Sequence, residues 1–285
     1  MKKLALSLIL LVGPISLSAQ TAAPGESKEP RPIPARSEVW IDRMTFMEVR
    51  DAIAAGKTTV IVPAGSVEQN GPYSVNGKSE FIMARDAENI ARRLGNALIT
   101  PVVWFAPGLN PAATGEEAPW PGDIPVRNET YKAVFKDIAT ALKMQGFKDI
   151  VTIGDNGGNE RPLAEVATEL NQAWGASSPT RVHHIAEHYA QHGVIDKLLP
   201  SWGVKVESEG IHDSYRVEAT LAAIDLENVR LEERISAGKT TINGQSIVPV
   251  IDLVSNGRKM EEVKTLATVA AIRKATAARS STEQR

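Results

Sequence analysis

Apolar residues fall along this chain in two textures. Short continuous runs rich in β-branched side chains recur at 59–62, 97–105 (ALITPVVWF), 150–153 and 180–185, as expected of strands buried on both faces. Between them, apolar residues return every three or four positions, which predicts amphipathic helices at 45–55, 80–94, 129–145 and 160–174. Local chemistry agrees. Thr45 with Glu48 three residues on forms a capping box, and Gly56, Gly95 and Gly146 stand where three of the helices should stop. Strands alternating with helices through the first 185 residues predict an α/β fold, a mainly parallel sheet covered on both faces. The last third is less regular, with helices expected at 211–224, 231–237 and 260–279 and a tight Asn-Gly hairpin turn at Asn243-Gly244. The long loop 106–128 is rich in Pro and Gly.

Two of the apolar runs break into polar loops. Val60-Ile61-Val62 leads through Pro63 and Gly65 to Glu68, Gln69, Asn70, Lys78, Ser79 and Glu80, and Ile153 leads to Gly154, Asp155, Asn156 and Gly157. Loops leaving the carboxyl ends of strands are where open α/β sheets bind ligands, so a single polar site between these two exits is expected. Asp155 is either an acid of that site or a cap for the helix that follows. Gly154–Asn159 (GDNGGN) lacks the register of a dinucleotide fingerprint and the lysine of a P-loop. No G-x-S-x-G elbow occurs, so a serine nucleophile is unsupported.

Four of the five histidines lie at 183–192, and His184, Glu187 and His188 spell H-x-x-E-H, one zinc-peptidase pattern. On a helix, His184, His188 and His192 would share a face. They are read either as a metal site or as a surface or inter-subunit cluster. His212, with Asp213, Tyr215 and Glu218 nearby, offers acid–base chemistry or a polar helix start. Trp104, Phe105 and Trp120 flank the long loop and suit either a flat ring or core packing.

Composition narrows the partners. A net charge of −2 gives no electrostatic basis for nucleic acid or an anionic membrane surface, and the absence of cysteine excludes disulfides and thiolate zinc sites. Lys2 and Lys3 precede an apolar segment, 4–17, and small residues at Ser16, Ser18 and Ala19. This reads as a signal peptide at 1–19 that leaves no membrane anchor after cleavage, in an exported protein of periplasm or medium. A Pro-rich linker at 20–37 and one domain at 38–285 complete the expected organisation.

The motifs then resemble those of the creatininase (creatinine amidohydrolase) family. Pro63-Ala64-Gly65-Ser66-Val67-Glu68-Gln69-Asn70-Gly71-Pro72-Tyr73 is similar to the family's P-x-G-S-x-E-Q-H-G-P-H signature. Trp120-Pro121-Gly122-Asp123 resembles its F-P-G-T element, Gly154–Asn159 its N-G-H-G-G-N element, and His212–Ala219 its late H-A-G-E-x-E-T-S element. The resemblance implies a three-layer α/β/α subunit, often a homohexamer, with a two-metal zinc or manganese centre that hydrolyses a C–N bond of a small cyclic or linear amide. Carried across residue by residue, the ligand glutamate is Glu68 and the late histidine is His212. Asn70 and Asn156 stand at histidine positions, Ser79 at an aspartate position beside Glu80, and Glu218 one place beyond the late glutamate. Asparagine is a poor zinc ligand. The expectation is therefore a remodelled hydrolase site: Glu68, Glu80 and Asp155 on a divalent metal, His212 and Glu218 moving protons, and Asn70, Asn156 and Trp120 facing substrate. The alternative is a non-catalytic binding or scaffold protein on the same fold.

Overall fold

The computed structural model describes residues 29–115, 119–207 and 209–283, and the expected signal peptide lies outside them. Residues 35–285 form one unit. Its centre is a four-stranded, all-parallel sheet of β1 (Thr59–Ala64), β2 (Ala97–Ile99), β3 (Asp149–Gly154) and β4 (Arg181–His184) in the order β2-β1-β3-β4. In register, Val60 lies opposite Leu98 on one side and Ile150 on the other. The 97–105 run is a strand only through Ile99. Pro101 has no N–H for the ladder, and the chain regains β1 at the single bridge between Ala64 and Val103.

Strand alternation sorts the core into two sides. Ile61, Val151 and Ile153 pack with Met83, Ala87 and Ile90 of α2 (Lys78–Leu94) and with Val269 and Ile272 of α8 (Val250–Glu283). Val60, Val62 and Ile150 face the other way, onto Phe135 and Leu142 of α3 (Asn128–Met144) and Leu163 and Val166 of α4 (Gly157–Trp174). On that side α1 (Phe46–Ala54), opened by the Thr45–Glu48 capping box, adds Val49 and Ile53. The result is the three-layer α/β/α architecture. A third apolar cluster unites α5 (Glu187–Leu198), α6 (Tyr215–Ile224), α7 (Leu231–Ser236) and the hairpin β5 (Thr241–Ile242) to β6 (Gln245–Ser246) beside α8.

Several boundaries differ from those expected, each for a local reason. Helix α4 begins at Gly157 rather than at 160, because the Asn156 side chain caps it by accepting from Gly158 N–H at 2.7 Å. The turn at 211–214 is not helical; Ser214 caps α6, which starts at Tyr215. Helix α8 runs ten residues upstream of its expected start through Asn256-Gly257. A Cβ on Gly257 would lie 2.0 Å from the Ala219 carbonyl oxygen, so glycine at that point lets α8 cross α6 in close contact. Among the described residues, no helix is long and apolar enough to cross a membrane.

Candidate functional site

Going from β1 to β2 the chain moves to one side, and from β1 to β3 to the other, so β1 and β3 flank the crevice at which doubly wound sheets bind ligands. The two polar loops leave from those strands. A cavity of about 310 Å³ opens there, lined by Glu68, Lys78, Asp155, Asn156, Tyr189, His192, His212 and Arg216 among others. A second, of about 390 Å³, lies on the far side of Glu68 and Asn156 and includes Trp120, Gln69 and Asp123. Both cavities share Glu68 and Asn156.

Glu68 is held from both ends. Lys78 Nζ lies 2.9 Å from its Oε1, and Asn156 Nδ2 donates to its Oε2 at 2.7 Å. Lys78 is the first residue of α2, so its ammonium is fixed by the same turn that buries Ser79 and Glu80. Asn156 uses its other end, Oδ1, to cap α4. Asn70 donates from Nδ2 to the carbonyls of Glu68 and Val75 and thereby pins the loop.

Asp155 is more deeply placed. Its Oδ1 accepts from Lys264 Nζ at 2.8 Å and from His192 Nε2 at 2.9 Å. Lys264 also reaches Asp86 Oδ2 at 3.0 Å. Burial pushes the Asp155 carboxyl up, but the Lys264 ammonium and the hydrogen bonds from Lys264 and His192 outweigh it and hold it well below the usual carboxylate range. Burial pushes the Lys264 ammonium down; Asp155 and Asp86 reverse that and raise it. Asp86 itself is pushed up by burial, with Lys264 opposing. His188, packed on Thr268 Oγ1 at 3.0 Å, and His192 are both shifted down by burial and by Lys264, so each is neutral at pH 7.

The expected site residues separate into three groups. Glu68, Asp155, Asn156 and His212 line one cavity, and Trp120 lines the adjoining one. Ile211 (φ 46°) and His212 (φ 61°) both occupy the left-handed region, and His212 Nδ1–H donates to the Gln69 carbonyl at 3.0 Å. Glu80 is not among the cavity residues. It is buried where the β1 exit meets α2, with Gly65 at its backbone, and its Oε2 has no hydrogen-bond partner among the described residues. Glu218 is also elsewhere, hydrogen-bonded to Ser74 and 3.5 Å from Arg234, which pairs with Asp213 at 3.2 Å. Burial raises Glu218 to about 7 against the pull of Ser74 and Arg234.

The histidine pattern is corrected as well. Although the 184–192 stretch includes the first half of α5, its members diverge: His184 pairs with Glu160, Glu187 is exposed, His188 is fully buried and His192 joins Asp155. They are neither a surface cluster nor a converging ligand set. Lys264 and Asp86 went unnoticed, yet the signal is in the sequence. Lys264 interrupts the buried face formed by Met260, Thr268 and Ile272, and Asp86 the apolar one formed by Ile82, Met83 and Ile90. Ionisable residues inside a buried stripe require partners.

A resident divalent metal does not fit these residues. Lys78 and Asn156 each occupy one oxygen of Glu68, and Lys264 and His192 converge on Asp155 Oδ1, so cationic and N–H donors stand where a metal would approach these acids. Among the described residues, no group of three His, Asp or Glu side chains is arranged to hold a cation.

Known proteins agree on the architecture. The chain is similar to a creatininase mutant in a zinc–zinc form (TM-score 0.59, 18% identity, 84% of this chain and 97% of that one). It is similar also to a manganese creatininase (TM-score 0.58, 18% identity, 84% and 97%). In sequence it is 25% identical over 119 residues to a 3-dehydro-scyllo-inosose hydrolase of Thermotoga maritima, a match covering 42% of this chain and 36% of that protein's length. The family model described as creatinine amidohydrolase matches residues 42–281, and the chain belongs to the creatininase family.

Proposed function

We propose that this is an exported creatininase-family protein whose strand-exit cavity binds a small polar amide. The family's amidohydrolase fold supports hydrolysis of an amide bond, but the acids expected to hold a metal-activated water, Glu68 and Asp155, are engaged by Lys78, Asn156, Lys264 and His192. One observation carries the binding reading. The Glu68–Asn156 hydrogen bond lies between two polar cavities, so both sides of the family's signature loop offer donors and acceptors to a small molecule. Export rests on the basic and apolar pattern of the first 19 residues.

The test is a thermal-shift panel of creatinine, creatine and other small lactams and ureides, with turnover of each followed in parallel. The binding reading expects a saturable shift from at least one compound, reduced by Trp120→Ala, with no turnover above buffer. A panel without any shift would count against it.

The Asp155–His192 pair favours a second reading, hydrolysis without metal. Asp155 orients the ring through Nε2–H, leaving Nδ1 as an acceptor on a neutral imidazole, which is the form a general base needs. Under that reading turnover appears and disappears with His192→Gln, while binding survives.

A further inference from the structure

We propose that the ammonium groups of Lys78 and Lys264 replace divalent cations in this chain, so that the positive charge of the site is covalently built in. Two related folds are recorded in zinc and manganese forms, and Glu68 stands at the ligand glutamate of the family signature. Here Lys78 Nζ sits 2.9 Å from Glu68 Oε1. Lys264 Nζ sits 2.8 Å from Asp155 and 3.0 Å from Asp86, bridging two buried carboxylates, one just past the end of β3 and one in α2, as a cation would.

The substitutions in the signature loops fit the same account. Where the resemblance expects imidazoles, Asn70 and Asn156 stand instead. Their amides donate outward, Asn156 to Glu68 itself, as suits a carboxylate whose counter-ion is already in place. Ser79 stands at the aspartate position and is buried directly after Lys78, so a further carboxylate is not required there. A lysine carries one charge where a dication carries two. The lost carboxylate at Ser79 goes with the smaller positive charge.

The inference is independent of whether the cavity binds or hydrolyses its ligand, and its test does not use activity. The full chain is melted in buffer, with EDTA, and with zinc or manganese chloride. The expected result is one melting temperature throughout; a fall with EDTA that zinc or manganese restores would overturn the proposal. A double-mutant cycle then addresses the lysines directly. Lys78→Met should lower the melting temperature, and adding Glu68→Gln should return it towards wild type, because both members of the ion pair are then gone. At the deeper site Lys264→Met should fail where the triple variant Asp86→Asn, Asp155→Asn, Lys264→Met folds. Additive losses in the first cycle, or a Lys264→Met protein as stable as wild type, would contradict it.

Discussion

The exits of β1 and β3 each carry an acid closed by a lysine, but at different depths. Glu68 keeps a side chain 19% exposed, and its lysine comes from the first turn of α2, ten residues away. The Asp155 side chain is 2% exposed, and its lysine comes from α8, 109 residues away, with a second acid and a histidine gathered around it. The arrangement is the same and the environment is not. At the cavity water reaches Glu68 although Lys78 is buried, so the pair fixes a loop at less cost than a fully enclosed one. In the interior each charge depends on the others, and removing one leaves its partners stranded.

That contrast is broken most sharply by Lys264→Met, which leaves Asp155 and Asp86 buried without their counter-ion. We expect a loss of about 3–5 kcal/mol in denaturant unfolding, or no folded protein. Asp155→Asn should cost less, about 1–3 kcal/mol, because Lys264 retains Asp86. At the shallower site Glu68→Gln should cost less again, about 1 kcal/mol, since Lys78 and Glu68 both line the open cavity, where water reaches the pair. Equal losses from Asp155→Asn and Glu68→Gln would remove the distinction drawn here.

Stability against pH sharpens the same comparison, with opposite signs at two carboxylates. Asp155 titrates below its unfolded value, so its contribution is present above about pH 3.8 and is lost as pH falls through the lowered pKa. Glu218 is raised from 4.5 to about 7, so the folded state holds the extra proton and stability declines as pH rises between those values. Glu261, also raised by burial to about 7, acts in the same direction, so urea midpoints measured from pH 4 to 8 should fall over that interval and Glu218→Gln should reduce the slope. An unchanged slope in the variant would place the titration elsewhere.

The layered fold was legible because its signals are local and mutually consistent. The β-branched runs, the Thr45–Glu48 box and Gly95 all act within one element, and each marks it correctly. Where tertiary contact decides, sequence reading stopped short. Gly257 looks like a helix breaker until Ala219 is found against it, and Gly157-Gly158 obscured a helix start that Asn156 caps. The cavity was expected at the correct strand exits. What could not be read was pairing: Asp155 draws its charge partner from α8, and the sequence shows only that Lys264 sits on an apolar face. Glu80 and Glu218, adjacent in sequence to positions with site roles, are turned inwards by the start of α2 and by Ser74 and Arg234.

Metal stoichiometry reports most directly on whether lysine has taken the place of a cation. Protein expressed with added zinc and manganese, purified without chelator and assayed by plasma mass spectrometry, should contain far less than one equivalent of either metal. One or two tightly held equivalents per chain would show that Lys78 and Lys264 move aside for metal, and the substitution account would be wrong.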